Sequence, residues 1–127
     1  MKNQSGFTLI EIMLVVIIIG ILASMVVPSF RGRAREARIN AAKGDIASVG
    51  VALDLFELEK GRYPRSLNEL LTSDKKYLKQ PNIPVDPWGN TYAYRCPGQH
   101  DKDGYDLLSR GPDGVEGGGD DITSWEM

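Results

Sequence analysis

The chain has 127 residues, 42% of them hydrophobic and 25% charged, which leaves room for one domain of ordinary composition and excludes a disordered polyelectrolyte or a multidomain enzyme. Fifteen Lys and Arg against seventeen Asp and Glu give a formal charge of −2, so no global basic field exists to hold nucleic acid. The single cysteine, Cys96, cannot close an intramolecular disulfide, and with the single histidine, His100, it cannot supply a four-ligand zinc site.

The apolar residues are concentrated at the start. Residues 7–27 read FTLIEIMLVVIIIGILASMVV, with Glu11 as the only charge. At about 1.5 Å per residue a helix of this length reaches roughly 30 Å, the thickness of a bilayer's hydrocarbon core, so a transmembrane helix is expected over residues 7–30. A secretory signal peptide would also place a lysine, here Lys2, before an apolar run. Its apolar core, however, runs about 7–15 residues and has no place for a carboxylate. Arg31, Arg33, Arg35 and Arg38 follow the segment, and counting positive charges alone would leave the C-terminal part in the cytoplasm.

Glu11 has no Lys, Arg or His inside the segment to pair with, and an ionised carboxylate in hydrocarbon demands a partner. Beyond Pro28 the helical pattern resumes. Ile39, Ala42, Ile46, Val49, Leu53 and Phe56 recur at spacings of three and four, so residues 31–60 form an amphipathic continuation of the same helix, with Pro28 kinking or locally opening it. Unbroken, residues 7–60 would span roughly 80 Å. Gly61 suits the C-terminal cap.

Residues 61–127 have a different character. Ser66-Leu67-Asn68-Glu69 has the form of a capping box and predicts a short helix through Leu71. Pro81, Pro84 and Pro87 punctuate a loop, and two short strands are predicted around Thr91–Arg95 and Tyr105–Ser109, joined by PGQHDKDG. The fold class is therefore α+β: a long N-terminal helix, transmembrane then amphipathic, packed against a small head with a short antiparallel sheet.

Such a head has few residues for a core and needs a staple. In SRGPDGVEGGGDDITSW, residues 109–125, Asp113, Asp120 and Asp121 fall in one glycine-rich loop with no Lys or Arg after Arg110. Carboxylate and carbonyl oxygens are the donor set of a hard cation, and flexible oxygen coordination favours Ca²⁺ over Mg²⁺. The same composition also suits a solvated surface loop. For an enzyme, Cys96 and His100 flank a predicted turn with no second histidine to complete a catalytic set, and the glycines at 117–119 precede aspartates that would repel phosphate. No catalytic constellation emerges.

Several of these motifs coincide with one family. The start SGFTLIE resembles the type IV pilins and pseudopilins. Together with the long helix, GRYP, DPWGN and the terminal GPDG…DDI loop, nearly the whole chain resembles the major pseudopilins of type II secretion systems. The resemblance implies a leader, residues 1–6, removed by a membrane prepilin peptidase between Gly6 and Phe7, followed by N-methylation of Phe7. It implies that the new amine of one subunit meets Glu11 of a neighbour, and that residues 7–30, with Pro28, form the assembly segment. One calcium ion would be held by Asp113, Asp120 and Asp121, with backbone carbonyls of Arg110 and Gly118. The implied setting is a single-pass protein of the bacterial inner membrane, head in the periplasm. It would polymerise into a helical filament that drives folded proteins across the outer membrane, with minor pseudopilins and an inner-membrane assembly platform as partners. A type IV pilus subunit for adhesion, motility or DNA uptake is the near alternative, though one cysteine forbids the C-terminal disulfide many such pilins close. A non-polymerising, calcium-binding single-span protein is the distant one.

Overall fold

The computed structural model describes residues 5–127, with the side chains of residues 27–29 outside that description. Two compact units are present, one ending at Glu36 and one running Ala37–Met127. Helix α1 (Leu9–Lys60, 52 residues) contributes to both. Its start is set by Thr8: the Thr8 backbone N–H and hydroxyl both donate to Glu11 Oε2, at 2.7 and 2.8 Å, while the Glu11 N–H donates to Thr8 Oγ1 at 3.3 Å. This is a reciprocal capping box, which satisfies donors that the first helical turn otherwise leaves free. The helix therefore begins two residues later than Phe7. Helix α1 runs through Pro28 without a break, and that residue's part in assembly falls on a side chain outside the described residues.

In the second unit the expected stripe faces inward. Ala42, Ile46, Val49, Leu53 and Phe56 are buried, Ile39 is half-buried, and Ala52, absent from the expected set, joins them. They share one core with Leu67, Leu70, Tyr92, Leu107 and Ile122. Gly50 sits where a Cβ would meet the Tyr105 hydroxyl at 3.0 Å, so the missing side chain leaves room for that hydroxyl. Tyr92 reaches across to donate to Asp45 Oδ2 at 2.7 Å, and burial followed by this bond raises its phenol pKa. Helix α1 ends as expected at Gly61, whose φ of 71° lets its N–H return to Glu57 O at 2.7 Å.

Helix α2 (Glu69–Thr72) is a single turn that runs one residue past the expected end. The capping box expected at Ser66 does not form. Asn68 is the residue before the helix, in helical conformation and with no side-chain cap. The Glu69 carboxylate instead accepts from Arg65 N at 2.8 Å and from Arg62 Nη2 at 3.1 Å. A backbone donor and a guanidinium outcompete the Ser66 N–H, and they tie the GRYP turn to the head.

The sheet is antiparallel in the order β1 (Ala93–Arg95), β2 (Asp106–Ser109), β3 (Ile122–Thr123), with Ala93 opposite Leu108 and Leu108 opposite Thr123. Both expected strands are present but shorter. Thr91 forms an isolated bridge to Val85 instead, and Tyr105 lies outside the ladder. Strand β3 was not expected. The Val85–Thr91 turn is DPWGN, organised by buried Asp86: its Oδ1 accepts from Trp88 N and Asn90 N at 3.1 and 2.7 Å, and its Oδ2 accepts from the Ser109 hydroxyl at 2.7 Å. The turn is thereby fastened to β2.

Candidate functional site

The first site is the start of α1. Phe7 is 86% exposed, and a Cβ built at Gly6 would meet nothing within 4 Å, so the Gly6–Phe7 peptide bond is sterically open. From Leu9 onward the helix is apolar on all sides, and its large side chains, Leu9 to Val26, are all exposed in the subunit. A surface of that kind is covered by lipid or by other helices. One oxygen of Glu11, Oε2, is satisfied locally by Thr8, whereas Oε1 makes no hydrogen bond among the described residues. Thr8 was missed in the sequence, although Thr-x-x-Glu is the same signature that suggested a cap at Ser66.

The second site is the loop after β2. Gly118 lies against two of the three expected ligands: a Cβ there would collide with Asp113 Oδ2 and lie 3.0 Å from Asp120 Oδ1. Gly111, next after Arg110, packs against the Asp120 backbone with a φ of 66° that side chains rarely adopt. The two stretches expected to offer carbonyls, at Arg110 and Gly118, thus both lie beside Asp120. Asp113 N donates to Asp120 Oδ2 at 3.3 Å, Val115 N to Asp113 Oδ1 at 2.9 Å, and Gly117 N to Asp121 Oδ2 at 2.7 Å. Two buried oxygens, Asp120 Oδ1 and Asp121 Oδ1, have no hydrogen-bond partner among the described residues. Such groups normally cost about 1–3 kcal/mol each, more when charged, and call for a counter-charge. Arg95 does not supply it: its Nη1 and Nη2 donate to the two oxygens of Glu116 at 2.7 and 2.6 Å, which holds the Glu116 carboxyl below its ordinary pKa and ties the loop to β1. Among the described residues no three His, Cys, Asp or Glu side chains form a metal cage by themselves, so backbone oxygens would have to complete one.

His100 and Cys96 do not form a pair. The Cys96 thiol faces Gly104 O at 3.6 Å, while His100 Nδ1 lies 3.1 Å from Asp106 Oδ2 and its ring stacks on Trp125 with centroids 3.9 Å apart. His100 is therefore more than the bystander its isolation in the sequence suggests. Asp106 is fully buried and also accepts from Gln99 N, His100 N and Asp101 N at 2.8, 3.1 and 3.3 Å. Burial pushes its carboxyl up, but the His100 side chain and these three N–H groups outweigh it and hold the pKa below the usual value. This cluster locks the β1–β2 connection to the C-terminus.

An all-round apolar helix with a capped, accessible start, leading into a small head with a three-stranded sheet, defines a pilin-like protein. The family described as "Type II secretion system (T2SS), protein G" matches residues 29–125, and the prokaryotic N-terminal methylation motif matches residues 1–27. The type II secretion system core protein G of Pseudomonas aeruginosa is 45% identical over 98% of this chain and 97% of its own length; that of Escherichia coli K12 is 44% identical over 98% and 93%. The crystal structure of the major pseudopilin from the type 2 secretion system of enterohaemorrhagic Escherichia coli superposes with a TM-score of 0.64 at 31% identity, covering 80% of this chain and 98% of that one. The chain belongs to the type II secretion system protein G family and is a pseudopilin.

Proposed function

We propose that this chain is the main structural subunit of a type II secretion pseudopilus, a periplasmic filament whose growth drives folded proteins across the outer membrane, and that it performs no catalysis. The single observation that carries this reading is the presence, on one chain, of a methylation motif, an exposed all-apolar helix and a pseudopilin head. A prepilin peptidase removes residues 1–6, Phe7 becomes the methylated N-terminus, and the subunit waits in the inner membrane with its head in the periplasm. An assembly platform and minor pseudopilins complete the machine. In the filament the Phe7 amine of one subunit meets Glu11 of the next, and the unsatisfied Glu11 Oε1 supports such a pairing. Mass spectrometry of the chain from sheared fibres tests this: N-methylated Phe7 at the mature terminus is expected, and intact Met1 in polymerised material overturns it.

Calcium completes the reading. Asp113, Asp120 and Asp121 would hold the ion with carbonyls of Arg110 and Gly118, supported by the two orphaned carboxylate oxygens and the convergence on Gly118. Its role is structural: it would neutralise the loop and fasten it to the sheet. Chelation is expected to lower the melting temperature of the head by roughly 4–24 °C, which is what losing about 1–3 kcal/mol implies in a domain of this size. Added Ca²⁺ should restore it, and Asp121→Ala, which also loses the Gly117 N–H contact, should melt at or below the chelated value regardless of Ca²⁺. A melting curve indifferent to chelator removes the ion from the proposal.

A further inference from the structure

The span Leu9–Phe30 covers about 33 Å at 1.5 Å per residue, which fills a bilayer's hydrocarbon core. The next residues are Arg31, Arg33 and Arg35, all exposed and none in an ion pair among the described residues. Arg31 and Arg35 lie one turn apart on one face of α1, and Arg33 lies on the other. Length therefore sets these three guanidiniums in the headgroup layer on the head side of the membrane, around the helix rather than on one edge. A guanidinium fork matches a phosphate bidentately, and an anionic surface attracts juxtamembrane basic residues. Their position is costly under the reading above, since the charge bias would keep them in the cytoplasm, yet that reading moves them across. A contact with headgroups on the far side offsets that bias.

We infer that Arg31, Arg33 and Arg35 form a clamp for anionic phospholipid headgroups in the leaflet facing the head, fixing the depth of the unassembled subunit. The inference rests on the membrane-spanning reading, so the test examines both. The full chain is reconstituted in vesicles of phosphatidylcholine and phosphatidylglycerol, washed with alkaline carbonate, and probed with spin-labelled versions of each lipid. Wild-type chain is expected to resist the wash and to associate with phosphatidylglycerol roughly five times more than with phosphatidylcholine, the preference a single well-placed basic residue supplies. High salt should reduce that preference. The triple variant Arg31→Gln, Arg33→Gln, Arg35→Gln should resist the wash equally and show a ratio near one. Retention with equal association of the two lipids, as when acidic residues of a second copy occupy the arginines instead, overturns the clamp alone. So does an undiminished preference in the triple variant. Release of wild-type chain by carbonate removes the spanning reading and the clamp with it.

Discussion

Asp106 shows how a single charge is made tolerable inside a head with little core. The carboxylate is fully buried, and four donors converge on it from His100, Gln99 and Asp101. Gly98 makes room: a Cβ there would fall against Asp106 Oδ1. Asp106→Asn keeps the shape but replaces one acceptor oxygen with a donor that faces N–H groups, which is expected to cost about 1–3 kcal/mol in thermal or urea unfolding. The pH dependence has a definite sign. Because the folded pKa is depressed, the contribution is complete at neutral pH. It begins to shrink as pH nears the unfolded carboxyl's value of about 3.9 and is lost as pH falls through the lower folded value. The gap between wild type and Asp106→Asn should therefore be wide at pH 7, begin to narrow near about pH 4 and close only as pH falls through the lower folded value. A gap constant with pH would mean that charge has no part in the effect. None of this was legible in the sequence, where Asp106 stands in a strand between Tyr105 and Leu107 and His100 stands alone; a carboxylate's donors are mostly backbone N–H groups, which carry no residue signature.

At the scale of elements, α1 was the most legible part, because burying one face of a helix imposes a spacing of three and four that side-chain type alone reveals. Leu53 is wholly buried in that face, and Leu58, also apolar, is 79% exposed. Leu53→Ala is expected to cost about 2–5 kcal/mol and Leu58→Ala within about 0.5 kcal/mol of nothing. Urea unfolding of the full chain in detergent, followed by the near-ultraviolet signal of Trp88 and Trp125, separates the two; equal losses would mean that the stripe does not organise the head. The smaller elements were less legible, each for a reason. Strand β3, Ile122–Thr123, is two residues long and exists through pairing with Leu108 and Ser109, contacts distant in sequence. The capping signature that forms a box at Thr8 fails at Ser66, because Arg62 and Arg65 claim the Glu69 carboxylate. The aspartates of the loop were legible as residues, whereas the convergence of Asp113 and Asp120 on Gly118 depends on backbone turns that composition merely permits.

For the whole molecule, the proposed filament would draw its assembly energy from the helix that the lone subunit leaves bare, with the charge at Glu11 deciding how neighbours align. The capping box complicates the obvious experiment, since Glu11→Ala would remove both the local bonds from Thr8 and any pairing with a neighbour's amine. Glu11→Gln separates them. Glutamine fills the same place in a capping box, so the start of α1 and membrane insertion should be unchanged. It carries no charge, so an amine brought up from the adjoining subunit would be left buried without a counter-ion, a loss of about 3–5 kcal/mol at each contact. The expected outcome is a membrane-inserted, stable monomer at wild-type level and a filament yield reduced at least about tenfold, a factor that already follows from 1.4 kcal/mol. Fractionation measures the monomer and shearing measures the filament. Wild-type filament yield from Glu11→Gln would show that Thr8 meets the carboxylate's needs unaided, and subunit alignment would then have to be set by the apolar surfaces alone.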